Sequence, residues 1–175
     1  MTAGSSDNGR IFGLGRDEGG PVNAGQFRRV LVGWDASAAA AEALSAAASI
    51  AGRDRGHVVA LAVVPVAPTT EAAEEHESER AAIRRRAEEH FRQARQAAAS
   101  CRGVRISLQI VEDRHVARAV CDYAAEHGFD LLVLGRHGDG VALRPRLGRV
   151  AEAAARTTSI PVLLVPSVAA RVPRR

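Results

Sequence analysis

Hydrophobic and polar positions divide the chain into short apolar runs that alternate with longer segments of helical character. The apolar runs predict five β-strands, at 30–34, 57–66, 104–111, 130–135 and 160–165. The segments between them predict four helices, at 38–50, 74–100, 116–127 and 148–157. Strands that are apolar on both faces are typical of a parallel sheet covered by helices on both sides. The pattern therefore predicts one doubly wound, Rossmann-like α/β domain with a five-stranded parallel sheet and four helices.

The two ends of the chain differ in composition from this domain. Residues 1–26 are rich in Gly, Ser, Asp and Asn without hydrophobic periodicity, and residues 168–175 are basic. We therefore predict a disordered N-terminal tail, a domain over 27–167 and a basic C-terminal tail. No apolar run approaches the ~20 residues of a membrane span, and the first residues lack the layout of a signal peptide. Two cysteines without redox or metal spacing fit reduced thiols, so we expect a cytoplasmic protein without a membrane partner.

Charge and composition exclude several mechanisms. The formal net charge is +4, but three arginines lie in the last five residues, and aromatic residues make up only 3% of the chain. The near-neutral domain and its few aromatic residues disfavour nucleic acid as a partner. Lysine is absent from the sequence, so a P-loop lysine, a Schiff-base lysine and a protein-kinase lysine are all excluded. No hydrolase elbow, His-Glu-x-x-His motif or paired cysteines occur, and we predict neither catalytic residues nor a metal site.

In an open parallel sheet, a ligand binds beyond the carboxyl ends of the strands, where the strand order reverses. Asp35 directly follows the first predicted strand, and a glycine-containing loop follows the fourth. Glycines let backbone amides approach an anion, and Gly148 precedes a helix whose free N–H groups favour negative charge. Four arginines against one aspartate make the loop locally +3: Arg136, Arg144, Arg146 and Arg149 against Asp139. Taken alone, these residues suit a phosphate-binding loop or an ordinary bend equally well.

The glycine spacing distinguishes these alternatives through a resemblance. Gly135, Gly138 and Gly148 are separated by two and by nine residues, and Asp35-Ala-Ser follows the first strand. Over about 29–166 the chain resembles the universal stress protein family, whose nucleotide-binding members carry Gly-x2-Gly-x9-Gly-(Ser/Thr). The resemblance implies an adenine nucleotide, with ATP foremost and Mg²⁺ as a possible companion. It implies a regulatory role in stress response, with at most slow ATP hydrolysis.

The same resemblance assigns residues to the site. Asp35 and the backbone near Val63 would contact the adenine, and Gly135 would lie beside the ribose. The phosphates would be held by Gly138, Gly148 and the following amides, those of Arg149 and Val150. Further candidate phosphate contacts are Arg136, His137 and Arg146.

The sequence departs from the family motif where Arg149 replaces Ser or Thr. Arginine keeps the backbone amide and adds a guanidinium that can pair with phosphate, but it can also fill the space of a terminal phosphate. The family glycine after the third strand is also replaced, by Glu112-Asp113. These changes put ATP in doubt more than an adenine nucleotide in general.

Three functions therefore stay open. The first is a nucleotide-binding regulator that acts on an unknown protein partner. The second is a family member without nucleotide that acts as a dimeric interaction module. The third is an anion- or nucleic-acid-binding protein, the least favoured. An apolar last strand at 160–165, with Pro161 at its start, predicts a sheet edge, and the resemblance implies a homodimer through it.

Overall fold

A computed structural model describes residues 27–64, 85, 88–89, 92–94, 96, 99, 103–137 and 147–166. Within these residues there are five strands, β1 (Arg29–Gly33), β2 (His57–Val64), β3 (Arg105–Glu112), β4 (Leu131–Gly135) and β5 (Val162–Val165). Three helices are α1 (Ala38–Gly52), α2 (Val116–Glu126) and α3 (Arg149–Thr157). Residues 85, 88–89, 92–94 and 96 are also helical and fall in the second predicted helix, 74–100, between β2 and β3. The predicted α/β class is confirmed.

All strand pairs are parallel, and the strands lie in the order β3-β2-β1-β4-β5. The chain builds the sheet outward from β1 to β3 and then returns to add β4 and β5 on the other side. The strand order therefore reverses between β1 and β4, where Leu31 pairs with Leu132. The prediction that the last strand forms an edge is confirmed. Pro161 lies just before β5, and its carbonyl accepts a 2.9 Å hydrogen bond from the Leu132 N–H.

Alternate residues of each strand pack on opposite faces of the sheet. One hydrophobic cluster contains Val30 and Val32 of β1 and the following Trp34, together with buried residues of α1. The other contains Leu31 with Val120 of α2 and Ala154 of α3. Strands that are buried on both faces explain the continuous apolar runs in the sequence. Trp34 is 5% exposed and packs in the first of these clusters.

The start of α1 explains how closely it approaches the sheet. The Ser37 hydroxyl accepts a 3.1 Å hydrogen bond from the Ala40 N–H, so Ser37 is the N-cap of α1. The buried face of α1 consists mainly of alanines, so its backbone lies near the strands. A Cβ at Gly135 would lie 2.9 Å from the Cβ of Ala39. Glycine at the end of β4 is therefore a requirement of helix packing.

Candidate functional site

A cavity of about 850 Å³ lies between α2 and α3 and reaches the turn that follows β1. Asp35 contributes to it from that turn. The α2 side supplies residues 114–118, Cys121, Asp122 and Ala125, and the α3 side supplies Arg149, Val150, Ala153 and residues 157–159. One end of the cavity lies at the carboxyl ends of β1 and β3, where Asp35 and Arg114 line it, and open parallel sheets bind ligands at this edge. The other end reaches Ser159, which precedes β5 at the opposite edge of the sheet.

A tight turn presents the Asp35 carboxylate to this cavity. Ala36 has φ +65, a left-handed conformation that is uncommon outside glycine. The Ser37 N–H donates a 3.0 Å hydrogen bond to Asp35 Oδ1, which orients the carboxylate. Oδ2 has no protein partner among the described residues, and Asp35 is exposed. The turn therefore leaves one carboxylate oxygen free to accept a hydrogen bond from a ligand.

The start of α3 forms the facing wall. Gly148 is the N-cap and supplies no side chain to cap the helix, while its own N–H donates a 2.9 Å hydrogen bond to the Arg136 carbonyl. The amides of the first helical turn have no intrahelical partner, and two of the residues that carry them, Arg149 and Val150, line the cavity. Their N–H groups and the helix dipole favour an anion at this point.

Charges in the cavity do not balance locally. Its described lining carries three arginines, Arg114, Arg118 and Arg149, and two aspartates, Asp35 and Asp122. Arg118 and Asp122 pair with each other, with 3.1 Å between Nε and Oδ2. Neither of the other two arginines has an ion-pair partner within the described ranges. Among the lining residues near the strand ends, Arg114 and Arg149 therefore outnumber the one carboxylate, that of Asp35.

The middle of the groove is closed by small side chains. Cys121 is buried, and the Thr157 hydroxyl lies 3.6 Å from its Sγ. That hydroxyl also donates a 2.9 Å hydrogen bond to the Ala153 carbonyl, one turn earlier in α3. The first contact joins α3 to α2, and the second fixes the Thr157 side chain on its own helix.

Three predicted site residues therefore meet in one cavity: Asp35, Arg149 and Val150. Gly148 lies directly beside them as the N-cap of α3. Val63 does not line the cavity, but it is half-buried on the same face of the sheet and packs against the same hydrophobic cluster as Val150. Its adenine contact stays a prediction.

The remaining predicted residues lie elsewhere or cannot be placed. A Cβ at Gly135 would face Ala39 on the α1 side of the sheet, and Gly135 is not among the described lining residues of the cavity, so its predicted place beside the ribose stays a prediction. Arg136 and His137 are half-buried just beyond β4, outside the cavity lining. Gly138 and Arg146 lie outside the described residues, as do both predicted tails.

Arg114 and His115 are lining residues that the sequence analysis did not select. Both lie in the connection between β3 and α2. The Asp113 N–H donates a 3.2 Å hydrogen bond to the Val64 carbonyl, and Asp113 Oδ1 accepts a 2.6 Å hydrogen bond from the His115 N–H. The sequence does carry a signal for Arg114 and His115: both follow the carboxyl end of a predicted strand, where parallel sheets bind their ligands.

The described part of the chain offers neither a metal-binding cluster nor a membrane-spanning helix. No group of three or more His, Cys, Asp or Glu residues lies there in an arrangement that could hold a metal ion. None of the helices in the same ranges has the length and apolar character needed to cross a membrane.

Comparisons with known proteins agree with this architecture. The model of the universal stress protein family matches residues 26–166. The chain is similar to the solved structure of universal stress protein UspA from Lactobacillus plantarum, with 28% identity and a TM-score of 0.69 over 80% of this chain and 98% of that one. A search of curated protein sequences found no match.

Two similar structures contain an adenine nucleotide. One is a universal stress protein in complex with cAMP, at 23% identity and a TM-score of 0.62, covering 81% of this chain and 98% of that one. The other is a protein of the universal stress protein family from Arabidopsis thaliana with AMP bound. Its identity is 15% and its TM-score 0.54, over 82% of this chain and 94% of that one. At these identities the likeness concerns the fold alone. The family model covers most of the sequence and its fold is the one observed, so this chain belongs to the universal stress protein family.

Proposed function

We propose that this protein is a stress-response regulator that binds an adenine nucleotide, with ATP the first candidate, in the cavity between α2 and α3. The single observation that carries the proposal is that the carboxylate of Asp35 and the uncapped start of α3 share one cavity. An adenine nucleotide needs both an acceptor for its N–H or O–H groups and a positive site for phosphate. The cAMP and AMP bound by similar proteins support this class of ligand.

The residues present fit such a ligand. Asp35 Oδ2 can accept a hydrogen bond from an amino or hydroxyl group, and a charged acceptor makes such a bond strong. Amides at the start of α3 and the Arg149 guanidinium can bind phosphate oxygens. Mg²⁺ would reach the site with a triphosphate, because this ion is commonly held by substrate phosphates and few protein carboxylates.

Regulation would follow from the position of the site. The cavity joins the turn after β1 to the start of α3, and α3 leads directly to the exposed edge strand β5. A nucleotide bound to both elements would stabilise one arrangement of them and so change the surface offered to an unidentified cytoplasmic partner. No catalytic residue is assigned, and slow ATP hydrolysis would be incidental.

The first test is direct detection of ligand. Purified protein is denatured, and the supernatant is separated by anion exchange with mass detection; nucleotide-free protein is then titrated calorimetrically with ATP and Mg²⁺. Stoichiometric adenine nucleotide or a saturable heat supports the proposal. Absence of both rejects it.

Asp35→Asn sharpens this test. Asparagine keeps an oxygen for the Ser37 N–H but replaces the free acceptor with an amide donor. We expect affinity for adenine nucleotides to fall about tenfold or more, as for loss of a charged hydrogen bond. Asp122→Asn, in the same cavity but paired with Arg118, is the matched control and should retain wild-type affinity.

A specific observation favours a second candidate function, the dimeric interaction module. All four residues of β5 are half-buried and apolar, and β5 forms one edge of the sheet. The carbonyls of Pro161 and Val165 accept hydrogen bonds from β4. Because backbone polar groups alternate in direction along a strand, those of Val162 and Leu164 point away from β4 and are available to a second chain.

Light scattering coupled to gel filtration tests this candidate. Wild-type protein is expected to be a homodimer. Leu164→Pro, which removes an N–H that points away from β4 together with the half-buried Leu164 side chain, is expected to be monomeric. Circular dichroism checks that the variant is folded. A dimer that persists in folded Leu164→Pro excludes pairing through β5, and a dimer that binds no adenine nucleotide favours this second function over the first.

A further inference from the structure

Arg114 occupies a position in the cavity that the proposed function has not used. It lies between β3 and α2, in a connection anchored by the hydrogen bonds from Asp113 N–H to Val64 O and from His115 N–H to Asp113 Oδ1. Its backbone is therefore held between two fixed neighbours at the carboxyl end of β2. Arg149 lines the same cavity from the start of α3.

We propose that Arg114 is a specificity-determining residue that binds a phosphate group of the adenine nucleotide together with Arg149. This inference rests on the proposed nucleotide site and adds to it a contact from outside the glycine loop. The two arginines come from different elements, α3 and the β3–α2 connection, so a phosphate between them would link the two helices that form the cavity.

Charge balance supports this assignment. Arg118 and Asp122 neutralise each other across 3.1 Å, which leaves Arg114 and Arg149 against Asp35 alone. Asp35 in turn accepts the Ser37 N–H. One net positive charge at the mouth of the cavity is thus uncompensated by the described lining, and a phosphate group would compensate it.

The Arg114 side chain is available to a ligand. It is exposed, and within the described ranges no hydrogen bond or ion pair holds it. A guanidinium offers several N–H donors in a planar fork that matches two phosphate oxygens.

The start of α2 adds to the positive electrostatic potential near Arg114. Its N-cap, His115, makes no side-chain cap hydrogen bond, and Val116 and Ala117 of the first turn also line the cavity. Their amides have no intrahelical partner. A phosphate held by Arg114 would therefore lie near the positive end of α2 as well.

The experiment compares Arg114→Gln with wild-type protein by calorimetric titration of AMP, ATP and adenosine. Arg118→Gln is the matched control, because Arg118 lines the same cavity but is already paired with Asp122. Circular dichroism and thermal unfolding establish that both variants are folded. A series of salt concentrations is run for each protein with AMP.

We expect Arg114→Gln to lower the affinity for AMP and for ATP about tenfold or more. Adenosine, which has no phosphate, should bind this variant with wild-type affinity. Salt should weaken AMP binding less in this variant than in wild type, because one charge–charge contact has been removed. Arg114→Lys, which keeps the charge but not the fork, should recover part of the lost affinity.

Two results overturn the inference and are distinguishable from each other. If wild type binds AMP and ATP but Arg114→Gln binds them equally well, or loses adenosine to the same extent, Arg114 is not a phosphate-binding residue and the nucleotide site stands. If wild-type protein binds none of the three compounds, the proposed function fails and this inference fails with it.

Discussion

The backbone N–H of Gly148 donates a 2.9 Å hydrogen bond to the carbonyl oxygen of Arg136. The Arg136 N–H in turn donates a 2.8 Å hydrogen bond to the carbonyl of Val165. The end of β4, the end of β5 and the start of α3 are therefore tied together at one residue. This arrangement closes the base of the glycine loop and sets the position of the α3 amides that face the cavity.

Gly148→Pro tests this closure. Gly148 has φ −63, close to the value that proline requires, so the substitution chiefly removes the N–H. We expect the free energy of unfolding to fall by about 1 kcal/mol, the typical contribution of one hydrogen bond, measured by urea denaturation. Nucleotide affinity should fall as well. Gly148→Ala keeps the N–H and is the control; equal losses in both variants would show that the hydrogen bond is not the cause.

Arg149→Ala should separate ligand binding from stability. Arginine at the first position of α3 lies at the positive end of the helix, so its removal should raise the free energy of unfolding by about 0.3–1 kcal/mol. Affinity for AMP should fall about tenfold through the lost charge–phosphate contact. Thermal unfolding and calorimetry measure the two effects. Arg156→Ala, at the other end of α3, should leave the affinity unchanged, and a gain in AMP affinity in Arg149→Ala would show that Arg149 obstructs the phosphate.

Gly135→Ala should destabilise the fold by overpacking. The added Cβ would lie 2.9 Å from Ala39 Cβ and 3.1 Å from the Ala39 carbonyl carbon, so α1 must move. We expect a loss of about 1–3 kcal/mol in the free energy of unfolding, measured by urea denaturation.

A second substitution identifies the contact responsible. In Ala39→Gly/Gly135→Ala, the Cβ–Cβ clash is absent, and a double-mutant cycle should give a favourable coupling of about 0.5 kcal/mol or more. Additive losses would mean that Gly135 is required for a reason other than its contact with Ala39.

Arg29→Ala should destabilise α2 without affecting the ligand site. The Arg29 guanidinium donates hydrogen bonds to the Gly128 carbonyl at 2.9 Å and to the His127 carbonyl at 2.6 Å, and it lies 5.5 Å from the Phe129 ring centroid. Its charge is favourable at the carboxyl end of a helix. We expect a loss of about 1.5–3 kcal/mol in the free energy of unfolding.

Chemical denaturation with nucleotide titration checks this prediction. Arg28→Ala is the matched control, because the neighbouring side chain is exposed and makes none of these contacts. Arg29→Lys should lose an intermediate amount of the free energy of unfolding, because one ammonium cannot reproduce the planar, two-pronged hydrogen bonding of a guanidinium. Because Arg29 lies at the amino ends of the strands, a change in AMP affinity would contradict the separation of the two ends of the sheet.

Acid should destabilise the protein through His57. Burial, with added repulsion from Arg105 and Arg29, lowers the pKa of His57 below 6.5. The unfolded chain then binds the proton more readily than the folded one, so stability is fully present above pH 6.5 and is lost as the pH falls through the lower folded pKa. Urea denaturation at about pH 5 and about pH 7.5 should show this loss, and His57→Gln should reduce it. An unchanged pH dependence in His57→Gln would assign the acid sensitivity to other groups.

The sequence predicted the fold because every strand carries its own signal. Runs such as 57–64 are apolar on both faces, and a segment of this kind is stable only between two layers of helices. Predicted boundaries differ from the observed ones by a few residues at several elements; the first strand, for example, runs from Arg29 to Gly33. The local cap at Ser37 was also predictable, because capping depends on residues three positions apart.

The local sequence determined the helices and strands, because hydrophobic periodicity and helix capping depend on residues close together in the chain. It also placed Asp35 after the first strand and Gly148 and Arg149 at the start of the last helix. Tertiary structure alone decided which of these residues share a cavity. Gly135 faces α1, since alternate residues of a strand point to opposite faces and close packing of α1 fills that side. Arg114 enters the cavity, because the strand order brings the connection after β3 to the same edge as Asp35. Neither the orientation of Gly135 nor the position of Arg114 could be predicted from spacing along the chain, because each depends on which strands become neighbours.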